Sequence, residues 1–175
     1  MNAPARPVSS SRAQRAFGAA TRRLSRYSST RIGRRAQAGF VRCHVFMYRL
    51  LRGRMVGRLG GAPLMLLTTT GRRSGKRRTV PLIYAPGPEP VLVASNGGAA
   101  SHPLWFRNAM ADPQVRVEIG SRKFVARLEA VSEAERPLAW ARAVAVYPSY
   151  ADYQEATARE LPVLVVRETH ESSAA

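Results

Sequence analysis

The stretch "QVRVEIGSRKFVARLEA", residues 114–130, alternates apolar and polar side chains on both sides of Gly120 and Ser121. A period of two places apolar side chains on one face of a strand and polar side chains on the other. A two-residue link that begins with glycine is typical of a tight hairpin turn. The stretch therefore predicts an antiparallel β-hairpin with one face in the core and one face in water.

Four other runs rich in Val, Ile, Leu and Thr have the same strand character. They are "LMLLTTT" (64–70), "TVPLIYA" (79–85), "PVLVAS" (90–95) and "PVLVVRE" (162–168). Short helices are predicted at "PLWFRNAMADP" (103–113), from a Ser132–Glu135 capping box to Val146, and after Pro148, although Pro137 conflicts with a helix interior. Hairpins followed by helices and a returning strand favour a small antiparallel barrel, mainly β with helices, over a βαβ sheet.

An amphipathic helix is predicted over residues 40–56, before the first strand. Its apolar side chains recur near helical spacing, and arginines occupy much of the remainder. The apolar positions are Phe40, Val41, Val45, Phe46, Leu50 and Leu51. Two roles are open: packing on the domain with the arginines in water, which we favour, or lying on an anionic membrane.

The chain has 175 residues and a formal charge of +17, and the charge is unevenly placed. Residues 1–88 hold 19 of the 28 basic residues and none of the 11 acidic ones. Such asymmetry predicts an anionic partner: nucleic acid, an acidic membrane surface or a multiply charged small molecule. We interpret residues 1–39 as a basic, disordered arm, although their Arg- and Ser-rich composition also resembles a transit peptide. Residues 40–175 are expected to form one domain.

Cysteine and histidine usage argues against disulfides and metals. Cys43 is the single cysteine, which is typical of a protein from a reducing compartment. The three histidines, at positions 44, 102 and 170, lack the spacing of a helical metal site, so no metal is predicted. No apolar run approaches the ~20 residues that a membrane-spanning helix requires.

Three stretches could hold a ligand. In "TTTGRRSGKRR" (68–78), two glycines allow close backbone approach and five cations can bind phosphate or carboxylate, although a solvated hairpin turn is the alternative. In "VASNGGAASHPLWFRN" (93–108), small residues followed by aromatic ones can form a shelf for a flat heterocycle, or a loop with a core-anchoring Trp. In "YPSYADY" (147–153), three tyrosines can line a pocket wall, although taken alone they favour an ordinary amphipathic helix.

Together, in this order, these stretches and "ADPQVRVEIG" (111–120) resemble the deazaflavin-dependent nitroreductase family, the reduced coenzyme F-420-dependent quinone reductases. The resemblance implies a split β-barrel like that of flavin reductases, and hydride transfer from the reduced deazaflavin to a quinone or nitroaromatic acceptor. Because this coenzyme carries a phosphodiester and an oligoglutamate tail, it would explain the basic turn. By similarity, the phosphate and tail lie near Arg72, Arg73, Ser74, Lys76 and Arg78. The ring lies near Pro81, Ser95, Asn96, Gly97, Gly98 and Trp105.

The resemblance also implies the catalytic groups, the acceptor and the location. Tyr147, Tyr150, Tyr153 and Ser95 would donate hydrogen bonds to the acceptor, while Asn96 replaces a lysine of the best-known family pattern. The acceptor would resemble menaquinone, and the protein would be actinobacterial and cytoplasmic, with peripheral contact to the inner face of the membrane. The alternatives are an FMN- or haem-binding barrel, a non-catalytic coenzyme carrier and a nucleic-acid binder. A monomer and a dimer are both compatible with the sequence.

Overall fold

The structure is a computed structural model that describes residues 31–54 and 57–169. Its helices are α1 (Arg31–Leu50), α2 (Leu104–Ala109), α3 (Arg136–Val146) and α4 (Ser149–Glu155). Its strands are β1 (Arg58–Leu59), β2 (Ala62–Thr70), β3 (Arg77–Ile83), β4 (Val91–Val93), β5 (Gln114–Ile119), β6 (Arg122–Ala130) and β7 (Val163–Glu168). All six predicted strands and the three predicted short helices are therefore confirmed, and β1 is an addition.

The strands form one antiparallel sheet in the order β1-β2-β5-β6-β7-β4, and β3 pairs with β2. The predicted hairpin is β5–β6, in which Ile119 lies opposite Arg122 and Gly120 adopts the left-handed conformation with φ 60°. These pairings confirm the antiparallel α+β class. Within the described residues no strand ladder joins β3 to β4, so the sheet is not closed; an isolated bridge links Ala85, after β3, to Val91 of β4.

Strand direction brings two of the predicted ligand-binding stretches to one edge of the sheet. Four successive antiparallel pairings, β2–β5, β5–β6, β6–β7 and β7–β4, make β2 and β4 run in the same direction. The turn at 71–76 follows β2 and the loop at 95–98 follows β4. Both segments therefore leave the sheet at the same edge, and α2 follows the loop in the chain.

The hydrogen bonds of the predicted capping box form before α3, but the helix begins at Arg136, later than a cap at Ser132 predicts. The Glu135 carboxylate accepts hydrogen bonds from the Ser132 amide (3.0 Å) and hydroxyl (2.7 Å), and the Glu135 amide donates to the Ser132 hydroxyl (3.3 Å). The helix starts at Arg136, so Pro137 occupies the first turn, where its missing N–H has no helical partner to lose. The start of the helix is thus displaced towards Pro137, which keeps this residue out of the helix interior.

Helix α1 begins at Arg31, inside the segment interpreted as an arm, and ends at Leu50, six residues before the predicted end. Residues 1–30 and 55–56 lie outside the described residues. The Tyr48 hydroxyl donates to the Leu64 carbonyl and accepts from the Gly120 amide, both at 3.0 Å, which docks the helix on the sheet. Phe40 and Phe46, counted in the predicted apolar face, are 70% and 64% exposed, because Val45 and Tyr48 form the packed face instead.

Candidate active site

The turn between β2 and β3 is compact and anchored by its own backbone. The Gly71 amide donates to the Lys76 carbonyl (2.9 Å), and the Gly71 carbonyl accepts from the amides of Ser74 (3.0 Å) and Gly75 (2.8 Å). A Cβ at Gly71 would lie 2.9 Å from Ser74 Oγ and 3.0 Å from the Lys76 carbonyl, whereas a Cβ at Gly75 would meet no atom within 4 Å. Gly71 is therefore required for the tight packing of the turn, and Gly75 leaves open space above it.

All five cations of the turn project into solvent. Arg72, Arg73, Lys76, Arg77 and Arg78 are exposed, as is the predicted ligand Ser74. Every carboxylate that forms an ion pair in the described part of the chain pairs with a cation elsewhere. The positive charge of the turn is consequently available to an external anion.

Asn108, which we did not predict as a site residue, ties this turn to α2. Its side-chain oxygen accepts from the Arg72 amide (3.3 Å), and its side-chain nitrogen donates to Thr69 Oγ1 (3.2 Å). Asn108 is buried, with 8% exposure, so these bonds are shielded from water. Its place in "WFRN" carried no signal, because the contact joins residues 36 positions apart.

The glycine loop after β4 is a short 3₁₀ turn, Asn96–Gly98, with an unusual backbone. Asn96, Gly97 and Gly98 all have positive φ, at 51°, 64° and 78°. A Cβ at Gly98 would lie 3.2 Å from the Tyr153 carbonyl oxygen, so this glycine lets the loop pack directly on α4. The Asn96 side chain donates to the Ser101 carbonyl (2.9 Å), which ties the turn to the segment after it, and Ser95 is buried.

Trp105 and Pro81 occupy different faces of the sheet. Trp105 is 8% exposed and belongs to the inner core together with Val80 and Leu82. Pro81 lies between those two residues on β3, opposite Leu66, so alternation directs it to the other face. Trp105 and Pro81 therefore do not lie on the same side of the sheet. Trp105 is on the side where α2 connects to the basic turn, and Pro81 is not.

Arg159 was also absent from our predicted site, and it holds the glycine loop. Its guanidinium donates to the carbonyls of Ser95 (2.7 Å), Ala94 (3.3 Å) and Ala99 (2.9 Å), and it lies 3.1 Å from His102 Nδ1. Burial, followed by the charges of Arg159 and Arg107, lowers the pKa of His102 and favours the neutral ring. One arginine in a polar loop gives no sequence signal for such long-range contacts.

The three tyrosines converge, but from two helices. Tyr147 is the cap that follows α3, while Tyr150 and Tyr153 lie on α4, so the three tyrosines do not share one amphipathic helix. The Tyr147 and Tyr153 hydroxyls are 3.1 Å apart, and the Tyr150 hydroxyl donates to the Ile83 carbonyl at 3.5 Å. All three side chains are buried, and burial raises the pKa of Tyr150, which keeps its phenol protonated at neutral pH.

The sequence profile of the F420H(2)-dependent quinone reductases matches residues 40–168 of this chain. This span includes β1–β7, the basic turn, the glycine loop and the tyrosine cluster. The chain belongs to the F420H(2)-dependent quinone reductase family. It is thus a coenzyme F-420-dependent oxidoreductase of the quinone reductase type, and coenzyme F-420 is its cofactor.

Three similar proteins illustrate the family assignment. An F420H(2)-dependent quinone reductase of Mycobacterium tuberculosis is 32% identical over 148 residues, covering 82% of this chain and 97% of the relative. A solved F420-H2 dependent reductase is 40% identical with a TM-score of 0.57, covering 60% of this chain and 94% of that one. A second solved structure, described as a domain-swapped dimer, is 36% identical with a TM-score of 0.58, covering 75% and 99%.

The described residues fit an F-420 coenzyme. The phosphate and glutamates of the coenzyme are anions, and the cations of the turn form no ion pairs within the described residues. Two glycines supply bare backbone, at Gly75 above the turn and at Gly97 in the loop.

No helix in the described ranges is both long and apolar enough to cross a bilayer.

Proposed function

We propose that this family member uses reduced coenzyme F-420 to reduce a quinone of the menaquinone type, with nitroaromatic compounds as a second acceptor class. The observation that carries the proposal is the position of the cationic turn and the glycine loop at one edge of the sheet, joined by α2 and Asn108. This arrangement offers charge for a polyanionic tail and bare backbone for a flat ring.

In this proposal the two segments divide the coenzyme between them. Arg72, Arg73, Lys76 and Arg78 hold the phosphate and the glutamates, with the Ser74 hydroxyl as an additional donor. Planar guanidiniums suit both anions because they donate two parallel hydrogen bonds. The loop of Ser95, Asn96, Gly97 and Gly98 holds the ring. An FMN site would need less positive charge, since FMN lacks the glutamate tail.

We propose further that the open sheet curls into a split barrel. Leu92 of β4 and Ala94, which follows β4, share a hydrophobic core with Val80 and Leu82 of β3. Within the described residues no strand ladder joins these two strands, and an isolated bridge links Ala85 to Val91, so their common core supports a curled sheet whose edges approach each other.

The chemistry requires positioning and hydrogen bonding from the chain. When bound, reduced coenzyme F-420 supplies the hydride. The glycine loop orients the ring against the acceptor, and α4 presents Tyr150 and Tyr153 beside that loop, since the Tyr153 carbonyl borders Gly98. We propose that Tyr150, assisted by Tyr147, Tyr153 and Ser95, donates a hydrogen bond to the acceptor oxygen as negative charge develops there. A protonated phenol is the form that can donate.

Fluorescence titration of the purified protein with oxidised coenzyme F-420, and separately with FMN, tests the proposal. We expect tight binding of the deazaflavin only, weakened by salt because charged contacts dominate. Reduction of a soluble menaquinone analogue by the reduced coenzyme should follow. Preference for FMN would contradict the proposal, and tight deazaflavin binding without reduction of any quinone would indicate a carrier.

Helix α1 supports a further proposal, peripheral attachment to the cytoplasmic face of an anionic membrane. Phe40, Phe46 and Leu50 are more than 60% exposed, and Arg42 is exposed on the same helix, whereas Arg49 pairs with Glu118 of β5. Apolar side chains next to a basic residue suit a lipid interface, where a cation contributes about 1 kcal/mol. Co-sedimentation with vesicles rich in phosphatidylglycerol at low salt should be lost in Phe40→Ser/Phe46→Ser. Failure of the unaltered protein to co-sediment would refute the attachment.

A further inference from the structure

Arg159, just beyond α4, is the residue that holds both ends of the glycine loop. Its guanidinium donates to Ala94 and Ser95 before the 3₁₀ turn and to Ala99 after it. We propose that Arg159 is a positioning residue that keeps the loop in the conformation that accepts the deazaflavin ring. The inference rests on the proposed function, because it assumes that the ring binds at this loop.

The side chain suits this task because a guanidinium offers five N–H donors in a rigid plane. Arg159 directs these donors to three carbonyls and approaches His102, at distances of 2.7–3.3 Å. None of the ion pairs in the described residues involves Arg159. The side-chain hydrogen bonds of Arg159 are therefore made to the loop and to His102. A lysine, with one nitrogen, could not reach all of these acceptors in the same geometry.

The loop needs external support because its backbone is unfavourable by itself. Three consecutive residues have positive φ, and one of them, Asn96, carries a side chain. Inside the loop, only two short-range backbone bonds are made within the described structure: the Gly98 amide to Ser95 (3.1 Å) and the Ala99 amide to Asn96 (3.2 Å). Without Arg159 the loop would populate other conformations, and coenzyme affinity would fall in proportion to the competent fraction.

Arg159 is itself held by the helix that carries two of the tyrosines. The Gln154 side chain of α4 donates to the Arg159 carbonyl (2.9 Å) and accepts from the Leu161 amide (2.9 Å). A chain of contacts thus runs from α4 through Gln154 and Arg159 to the glycine loop. The coenzyme loop and the tyrosine helix are consequently held in a fixed relation, as hydride transfer between two bound molecules requires.

The test compares Arg159→Gln with Arg142→Gln. Arg142 is a matched control because its guanidinium donates to the carbonyls of Pro86 (2.9 Å) and Glu89 (3.3 Å), in the loop that precedes β4 at the opposite edge of the sheet. We expect the Kd for oxidised coenzyme F-420 to rise about tenfold in Arg159→Gln and less than twofold in Arg142→Gln. The KM for the quinone should stay unchanged in both variants.

Arg159→Lys keeps the positive charge of this side chain but removes its planar hydrogen-bonding geometry. It also provides the test if Arg159→Gln fails to fold. It should retain the low pKa of His102, measured by NMR titration, because the positive charge remains nearby. It should nevertheless bind the coenzyme more weakly than the unaltered protein, because the planar fork is lost. A rise in the pKa of His102 is expected only in Arg159→Gln.

Wild-type coenzyme affinity in either folded Arg159 variant, or equal weakening in Arg142→Gln, would overturn the assignment. Gly98→Ala distinguishes this failure from failure of the proposed site, because its Cβ would push the loop away from Tyr153. If Gly98→Ala weakens coenzyme binding and the Arg159 variants do not, only the positioning role is wrong. If none of these variants affects binding, the ring does not bind at this loop, and both proposals fail.

Discussion

The basic turn at residues 71–78 and the tyrosine cluster, Tyr147, Tyr150 and Tyr153, present their polar groups in opposite ways. The cations of the turn are exposed and form no ion pairs in the described structure, whereas the phenols are buried and contact one another, with ring centroids 5.1–6.4 Å apart. The turn adds little to the core. The tyrosines belong to a core cluster that also includes Val163 and Leu161.

Because of this difference, the turn should mainly affect affinity for an anionic ligand, and the tyrosine cluster should mainly affect the stability of the fold. Exposed charges act over several ångströms and contribute little to folding, so the turn can be specialised for an anion at small cost to stability. Buried rings contribute through packing, so any catalytic role of the tyrosines must be compatible with their place in the core. Substitutions in the two regions should therefore affect different measurements.

The largest effect is expected for Tyr153→Ala. Removal of a buried ring leaves a cavity, so the free energy of unfolding should fall by about 3–5 kcal/mol in denaturant titrations. Leu138→Ala is the control, since this side chain on α3 is 71% exposed and its loss should change stability by less than ~0.5 kcal/mol. Equal stability of the two variants would show that the cluster is not part of the core.

Next in size is Arg72→Glu/Arg73→Glu. Reversing two charges should weaken binding of oxidised coenzyme F-420 by about 100-fold at low salt and leave the free energy of unfolding nearly unchanged. Arg52→Glu/Arg54→Glu makes the same change in net charge with two exposed arginines next to the β5–β6 hairpin. If both pairs weaken binding alike, overall charge, and not the turn, governs affinity.

A smaller effect is expected for Tyr150→Phe, which removes only the hydroxyl. Turnover in steady-state quinone reduction should fall about tenfold, because a donor to the developing charge is lost, while the coenzyme Kd changes less than twofold. Stability should change little, since the hydroxyl makes one long bond, of 3.5 Å, to Ile83. Unaltered turnover would remove Tyr150 from the mechanism.

The smallest effect is an alkaline loss of stability. Burial raises the pKa of Tyr150 above 10, so the unfolded chain releases this proton first and stability falls as pH rises above about 10. Between pH 10 and 11 the unaltered protein should lose about 1 kcal/mol more than Tyr150→Phe does. Denaturant titrations of the two proteins at both pH values check this difference, and parallel losses would mean that the phenol is not protected by burial.

Local patterns predicted the elements well and the site in part. Alternation in residues 114–130 and the Ser132–Glu135 capping box depend on neighbouring residues, so the hairpin and the hydrogen bonds before α3 were predictable, whereas the start of α3 at Arg136 was not. The cations and glycines of the turn were recognised from the residue types in that stretch of sequence. The packed face of α1 was not, because Val45 and Tyr48 are selected over Phe40 and Phe46 by contacts with β2 and Gly120.

By itself, the sequence determined the strand and helix types, the uneven charge and the family resemblance, because each depends on residue identity over short spans. Only the tertiary structure decided which segments meet. It placed the basic turn and the glycine loop at one edge, brought Tyr147 to Tyr153 from a separate helix, and set Asn108 and Arg159 against backbones 36 and 60–65 positions away. Such contacts arise from strand direction and from packing across the sheet, and neither can be predicted from a local sequence pattern.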